Sequence, residues 1–448
     1  MGETQNLNAF KGSQSQQATG VRSAGDRWDI PVLLAGFSLA AYMARMNVSI
    51  AAKFIMPEFG LNQIQMGQVF GAFMLSYAIF QIPAGLLGDR FGPRSVLAAS
   101  GIAWGILTIL TGLLPGVLIT SAAMVVGVLL AIRFLLGAAE AAMYPVAARA
   151  IATWIRAPQR AFGNSIVVSG MAVGSACTPP LISWLMVHWG WRQAFYYTAA
   201  VPVLLAIAWW KRVPGRAAYL DLVARVSAHS ERSRSHRHWF LLLWNPNIWL
   251  ISFSYFLESY VQYIFLFWFF LYLVDIRGFT LMKSGFLSSL PYIVSMVAMP
   301  TAGYLSDRLA RLWGKRRGRC TVVMVGFVSS ALLLLVGAES RNAYVAAVAI
   351  SFSVGLLLST EGTFWSTVTD ISGEHAGAAA GIMNTAGNLA GVASTALVPV
   401  IVQRYGWLSV FVSSALLSMV GAATWLLIRF REQGTSTAPS PVFSSEPQ

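Results

Sequence analysis

The stretch GLLGDRFGPR at residues 85–94 returns in a looser form as GYLSDRLARL at residues 303–312. In both, a glycine stands four residues before an aspartate, and an arginine follows that aspartate directly. The two aspartates, Asp89 and Asp307, lie 218 positions apart, close to half the length of this 448-residue chain. The repeat therefore predicts two structurally equivalent halves.

Most of the chain around this repeat is too apolar for water. It is 56% hydrophobic and 11% charged, with a mean hydropathy of +0.62, whereas soluble domains carry about 25% charged residues. A helix needs about 20 apolar residues to cross a bilayer core of about 30 Å. Runs of that length are centred near residues 40, 77, 104, 135, 172, 202, 259, 293, 329, 355, 389 and 418. We therefore expect an all-α membrane protein, since lipid offers no partner to open backbone groups, with twelve transmembrane helices in two pseudo-symmetric six-helix bundles.

The distribution of basic residues predicts the orientation of these helices. If both termini are cytoplasmic, 23 of the 31 Lys and Arg residues lie in inner loops and tails, six lie outside, and Arg45 and Arg133 lie within helices. This bias follows the positive-inside rule, so we expect a multi-pass protein of the plasma (inner) membrane with cytoplasmic termini. The net charge of +14 then belongs to loops beside lipid, and no nucleic-acid partner is expected.

The longest polar stretch divides the chain into its two halves. The segment AAYLDLVARV within it is either a short amphipathic helix on the inner membrane surface or part of a disordered basic loop. Both ends of the chain are rich in small and polar residues and are predicted to be disordered. The predicted parts are a cytoplasmic tail at 1–27, a six-helix bundle at 28–212, a cytoplasmic linker at 213–244, a second bundle at 245–430 and a cytoplasmic tail at 431–448.

Charged residues inside the predicted helices indicate a binding site. Arg133 and Glu140 are seven apart, which places them on one helix face, and Tyr42, Arg45 and Ser49 form a stripe on another helix. A charge at the bilayer centre costs about 2.5–3.5 kcal/mol even on the mildest scale, so such residues normally face a cavity. A structural ion pair is the alternative. Because a guanidinium matches a carboxylate with two parallel hydrogen bonds, two arginines on one cavity favour an anionic ligand.

The pattern G-x-x-x-D-R-x-G-x-R in the first of the two repeated stretches resembles the loop signature of the major facilitator superfamily. From about residue 30 to 430 the chain is similar to the anion:cation symporter family, which includes bacterial sugar-acid permeases for galactonate, glucarate and hexuronates. The stretches that carry this resemblance are YMARMNVSIA, RFLLGAAEAAMYP, WIRAPQRA, HWGWRQAFY, FWSTVTDIS and AGIMNTAGNLAG.

The resemblance implies that the repeated motif is a gate. Gly85 would allow close helix packing, and Asp89 could lie against a helix N-terminus, whose dipole favours an anion. Arg90 and Arg94 could pair with acids of the other half. Anchoring of these charges at the lipid headgroups is the alternative. The gating residues expected on this basis are Gly85, Asp89, Arg90, Arg94, Asp307 and Arg308.

The resemblance also assigns roles in transport. Arg45 and Arg133 correspond to substrate-binding arginines, and Glu140 corresponds to a proton-coupling glutamate. The further substrate contacts expected are Tyr42, Tyr77 and Asn388, with Trp365 and Asn384 as weaker candidates.

One departure from the family pattern concerns the coupling ion. Ala44 stands where related proton-coupled members often carry an aspartate before the arginine. Burial would favour the neutral form of Glu140, whereas Arg133 would favour its ionised form. Two further acids, Glu258 and Glu361, are candidates for the cavity lining, with a cytoplasmic gate as the alternative role of Glu361, and Glu258 is a second candidate for proton coupling. Altered proton stoichiometry, sodium coupling and uncoupled or exchange transport all remain open.

The sequence thus favours a monomeric secondary transporter that takes up a small organic anion, a sugar acid or related carboxylate, by proton symport with alternating access. An anion exchanger and a sodium-coupled carboxylate carrier are the first alternatives, and an efflux pump or a non-transporting membrane sensor comes after them. No enzyme activity, cofactor or metal site is expected. The two cysteines, Cys177 and Cys320, belong to different apolar segments and do not suggest a disulfide.

Overall fold

A computed structural model describes the chain from Arg27 to Arg429, apart from residues 120, 157–158, 217–218, 221–238 and 373–374. The two predicted tails lie almost wholly outside these residues. So does most of the predicted linker, including the greater part of the segment expected to form an amphipathic helix.

Seven α-helices with full bounds lie in the described part of the first half. They are α1 (Asp29–Phe59), α2 (Gln63–Phe91), α3 (Pro93–Leu113), α4 (Ala122–Glu140), α5 (Met143–Trp154), α6 (Arg160–Trp189) and α7 (Trp191–Arg212). The turn between α1 and α2 shows how local sequence sets these boundaries. Gly60 ends α1 with a left-handed φ of 65°, and Asn62 and Gln65 form a reciprocal capping box that starts α2.

The second half begins with a 3₁₀ helix, Trp239–Trp244, and continues with six helices. They are α8 (Pro246–Asp275), α9 (Leu281–Trp313), α10 (Lys315–Glu339), α11 (Ala343–Leu358), α12 (Glu361–Ser372) and α13 (Ala376–Leu427). Pro246 is the first residue of α8, a position at which the backbone N–H has no partner within the helix, so a proline is tolerated there. Asn245 caps the helix, because its side-chain oxygen accepts a hydrogen bond from the backbone N–H of Asn247.

Eleven helices of the described chain are long and apolar enough to cross a membrane. Of these, α4 with α5 and α11 with α12 each count as one crossing. The last, α13, has 52 residues but is broken at Gly406, whose φ of 76° and ψ of 175° are not helical. Its two parts correspond to the runs predicted near residues 389 and 418. The twelve-helix prediction is therefore confirmed, with the final two helices nearly continuous.

The helices pack closely where small residues face a neighbouring backbone, as is common inside membranes. A Cβ added at Gly170 of α6 would lie 2.1 Å from the carbonyl oxygen of Ala35 in α1. A Cβ added at Gly67 of α2 would lie 2.3 Å from the carbonyl oxygen of Thr395 in α13. The first contact is within one half, and the second joins the two halves.

The two ends of the molecule can be named by their charges. The Lys53 end contains the α1–α2 turn, and there Lys53 forms an ion pair with Asp275 of α8 in the other half. Near it, the rings of Phe70 in α2 and Phe267 in α8 stack with centroids 5.1 Å apart. The Asp89 end is the opposite end, where α2 meets α3. The ion pair and the stacked rings therefore join the halves toward the Lys53 end.

Candidate functional site

Arg45 of α1 forms the centre of a buried site in the first half. Its Nε donates to Glu140 Oε1 of α4 over 2.5 Å, and the two side chains are 3% and 0% exposed. The sequence placed Glu140 on the same helix face as Arg133. In the structure, the ion pair of Glu140 is instead with Arg45, which lies 95 positions away.

Aromatic rings surround the Arg45 guanidinium. Its Cζ lies 4.4 Å from the ring centroid of Tyr77, 5.0 Å from that of Tyr42 and 5.4 Å from that of Phe73. Rings within about 6 Å attract a cation through their electron-rich faces. The structure thus brings the predicted Tyr42 and Tyr77 to Arg45. Phe73 was not predicted, although its position four residues before Tyr77 on α2 puts both rings on one helix face.

Arg133 of α4 also lies close to the ring of Phe73. Its Nη1 donates to the carbonyl oxygen of Ala44 over 3.1 Å, and its Cζ is 4.9 Å from the Phe73 centroid. The side chain is 1% exposed. One phenyl ring therefore contacts both guanidinium groups, and Arg133 holds the backbone directly before Arg45.

Several polar atoms of this cluster have no protein partner. They are Arg45 Nη2, Arg133 Nε, Arg133 Nη2 and Glu140 Oε2. Buried donors without acceptors are rare and cost about 1–3 kcal/mol each, more when charged. Three of the four are guanidinium nitrogens, so an anion with several oxygens matches the donors that are left over.

Amides connect the two halves beside this cluster. Asn388 of α13 donates from Nδ2 to the carbonyl oxygen of Asn384 over 3.0 Å. Asn384 in turn donates from its own Nδ2 to Gln81 Oε1 of α2 over 3.0 Å. Gln81 was not among the predicted residues. Asn384 therefore has a contact with the opposite half, and Asn388 follows it one turn deeper in the same helix.

The second half adds two acids. Glu258 of α8 is 1% exposed and accepts from the Ser259 hydroxyl over 3.2 Å. Glu361, at the start of α12, accepts from the Tyr255 hydroxyl over 3.4 Å. Trp365 also hydrogen-bonds Glu361, and its ring is 6.4 Å from that of Tyr255.

These second-half groups face the first-half cluster. Tyr42 of α1 interacts electrostatically with both Tyr263 of α8 and Glu361 of α12. Arg45 likewise acts on Tyr263. The predicted site residues of the two halves thus lie around one central region, with arginines on one side and glutamates on the other.

The first copy of the repeated motif lies at the Asp89 end. Asp89 forms an ion pair with Arg149, which lies at an interior position of α5. Arg94 donates from Nε to the carbonyl oxygen of Trp210 over 2.9 Å and lies over that ring at 4.4 Å. Trp210 belongs to the same half, so the expected pairing of Arg94 with an acid of the other half is not what this structure shows.

The other residues of the two motif copies are either packed against a neighbour or exposed. A Cβ on Gly85 would lie 3.4 Å from Pro145 Cβ of α5, so this glycine does face a close neighbour. Arg90 is exposed and lies over the ring of Phe91. In the second copy, Asp307 and Arg308 are both exposed.

A different acid provides the ion pairs at this end of the second half. Asp370 of α12 pairs with Lys315 over 3.2 Å and with Arg319 over 2.6 Å, both on α10. Asp370 lies in the stretch FWSTVTDIS but was not predicted as a site residue. The sequence did not indicate its ion pairs, since Lys315 is 55 positions away.

Comparison with protein families gives one match over most of the chain. The model of the Major Facilitator Superfamily matches residues 34–395. Among solved structures, a bacterial homologue of the human lysosomal transporter Spinster, inward-facing and unoccupied, superposes with a TM-score of 0.72 at 16% identity, covering 90% of this chain and 97% of that one. A D-xylose–proton symporter gives 0.71 at 15% identity, with the same coverages. At these identities, the likeness shows the fold.

Curated relatives are more similar in sequence. A probable sulfoacetate transporter of Cupriavidus necator is 34% identical over 406 residues, covering 87% of this chain and 90% of the relative. A probable galactarate/D-glucarate transporter of Bacillus subtilis is 28% identical, with coverages of 85% and 86%. A D-galactonate transporter of Escherichia coli is 26% identical, with coverages of 86% and 92%.

Proposed function

The chain belongs to the Major Facilitator Superfamily, and from this membership we propose that it is a secondary transporter that takes up a small organic anion together with protons. The observation that carries the proposal is the buried pair Arg45 and Arg133 with three guanidinium nitrogens that lack a protein acceptor. A carboxylate or sulfonate group brings the oxygens that these nitrogens need.

The charge of the cluster also argues against export of amphipathic cations. In the first half, the described residues place two buried guanidinium groups, Arg45 and Arg133, with the carboxylate of Glu140, which pairs with Arg45, so a cation that approaches this half meets an excess of positive charge. An anion gains from the same arrangement. The relatives named above support the proposal, because their names are probable sulfoacetate transporter, probable galactarate/D-glucarate transporter and D-galactonate transporter.

The contact between Arg45 and Glu140 suggests how a proton is coupled to the anion. Arg45 Nε is occupied by Glu140 in this structure, so an incoming carboxylate or sulfonate competes with Glu140 for the guanidinium. Once displaced, a buried carboxylate without a cation is costly, and taking up a proton removes its charge. Anion binding and protonation of Glu140 then favour each other.

Alternating access requires the halves to separate at one end at a time. In this structure, the Lys53 end has an ion pair and stacked aromatic rings between the halves. We propose that the Asp89 end is cytoplasmic, since its connections carry many of the basic residues. The conformation would then be closed toward the outside.

The first experiment identifies a ligand. Purified protein in detergent is heated with sulfoacetate, D-glucarate, galactarate or D-galactonate, because an anion that binds the folded state raises the melting temperature by mass action. The same four anions are then tested for uptake into proteoliposomes under an inward proton gradient.

The decisive variants are Arg133→Ala and the double change Arg45→Ala with Arg133→Ala. We expect both to abolish uptake, whereas Arg404→Ala, an exposed arginine on α13, should leave it unchanged. Uptake that survives loss of both buried arginines would overturn the anion site. Uptake by the wild type that does not respond to the proton gradient would favour exchange or sodium coupling, which a sodium gradient separates.

A further inference from the structure

Glu258 of α8 is a buried acid that the proposed exchange at Arg45 does not use. It is almost fully buried, and its Oε2 accepts from the hydroxyl of its neighbour Ser259 over 3.2 Å. Its Oε1 has no protein partner. A carboxylate with one weak hydrogen bond and one empty oxygen is poorly stabilised as an anion.

Among the described residues, the groups that interact with Glu258 do not include a cation that would stabilise its charge. The charged and titratable residues that interact with it are Glu361 of α12 and the phenols of Tyr255 and Tyr263 on α8. From α13, Gly387 presses against Tyr255 and Ser259, since a Cβ there would lie 2.6 Å from Tyr255 Cε1. An acid and neutral groups therefore surround the carboxylate.

The balance of charge in the central region makes this acid important for an anion carrier. Of the described residues, the arginines and carboxylic acids there are Arg45, Arg133, Glu140, Glu258 and Glu361. With all five ionised, the region has a net charge of −1 and repels an anion. A proton on Glu258 removes that deficit, and a second proton on either remaining glutamate makes the region positive.

We propose that Glu258 is a second proton carrier, which must hold a proton before the anion can bind. In the inward step, the Glu258 carboxylate takes one proton from the outer solution, becomes a neutral carboxylic acid, and returns the proton to the inner solution after the anion has left. This proton adds to the one taken by Glu140. The inference rests on the proposed anion transport for its purpose, but the protonation of Glu258 does not depend on which anion is carried.

Infrared difference spectroscopy tests the protonation without any ligand. A carboxylic acid has a C=O stretch that a carboxylate lacks, so wild type minus Glu258→Gln at neutral pH should show the loss of one carboxylic-acid band. Glu339→Gln is the matched control, because it makes the same exchange at an exposed glutamate at the end of α10, and it should leave the band in place. An unchanged band in Glu258→Gln would overturn the proposal. If that variant aggregates, Glu258→Asp is measured instead and should shift the band. A band that does not shift would also overturn the proposal.

The ratio of protons to anion tests the transport role. In proteoliposomes with a sulfoacetate gradient, the membrane potential that stops net flux gives the number of protons carried per anion. We expect Glu258→Gln to carry one proton fewer than the wild type, while Glu339→Gln keeps the wild-type ratio. An equal ratio in Glu258→Gln and wild type would overturn the second carrier. If neither sulfoacetate nor the three sugar acids are transported, the proposed function fails, and the infrared measurement alone decides the protonation of Glu258.

Discussion

The two halves share a scaffold but differ in the charge at their centres. The first half places Arg45 and Arg133 beside a single acid, Glu140, whereas the second half faces them with Glu258 and Glu361. The repeated motif shows that the halves are related, yet the site between them is electrically unequal. The two halves thus share their fold, while side chains on corresponding helices give each half a different charge.

The same inequality appears at the Asp89 end. In the first half, the acid belongs to the repeated motif and the base to α5, as Asp89 and Arg149. In the second half, the acid is Asp370 on α12, and the bases Lys315 and Arg319 lie on α10. Along the chain, the acid therefore comes before its base in the first half and after its bases in the second half. The ion pairs at this end cannot be read from the sequence of the repeated motif alone.

The largest effect is expected from breaking the ion pair of the first half. Arg45→Ala leaves Glu140 buried without its cation, which typically costs about 3–5 kcal/mol, and it removes the anion's ligand. We expect a melting temperature well below that of the wild type and uptake reduced by about 100-fold or more. Adding Glu140→Gln should restore the melting temperature but not uptake. If the double variant transports normally, the first half is not the anion-binding half.

A smaller loss of anion binding should follow from removing the ring that contacts both arginines. Phe73→Leu keeps an apolar side chain but loses the cation–π contacts with both guanidinium groups, worth about 0.5–1 kcal/mol each at exposed sites and more when desolvated. Anion affinity in a titration should fall by about 5- to 30-fold. The control is Phe267→Leu, which removes a ring stacked on Phe70 of the other half without touching an arginine. Equal losses in both variants would mean that the ring of Phe73 only fills space.

Breaking the ion pairs at the Asp89 end should lower uptake less than the changes above, and the loss should differ between the two halves. Asp89→Asn breaks a pair whose side chains are each 41% exposed, and such pairs contribute about 0.2–1 kcal/mol. Asp370→Asn removes the partner of two bases, one of them the buried Arg319. We expect uptake rates to fall by about two- to fivefold, with Asp370→Asn the slower variant. Asp307→Asn, at an exposed aspartate, should be close to wild type. A loss in Asp307→Asn as large as in Asp370→Asn would contradict this ranking.

The smallest effect is expected at the Lys53 end. Lys53→Ala removes the ion pair with Asp275 that joins the halves, but both side chains are partly exposed, and the packing of Phe70 on Phe267 remains. Accessibility labelling of a cysteine placed at Gln63, the half-buried first residue of α2, should rise by less than about twofold. A larger rise would mean that this pair, and not the apolar packing, closes the end.

The helices were predictable from sequence because they depend on local composition. Hydropathy located the twelve crossings, and two arginines inside apolar runs led to the hypothesis of an anion site. The partners were not predictable. Glu140 shares a helix face with Arg133 but pairs with Arg45, and Phe73 became a contact of both arginines only because α2 packs against α1 and α4.

By itself, then, the sequence determined a duplicated twelve-helix membrane protein, since lipid forces every apolar run of that length to satisfy its own backbone. It also determined that charges such as Arg45, Arg133, Glu140 and Glu258 must be placed in the interior, because they cannot face lipid cheaply. Only the tertiary structure decided which of them meet. Pairing depends on how far each helix is rotated and shifted against its neighbours. It brings together residues that are far apart in the sequence, such as Arg45 and Glu140, which are separated by 95 positions.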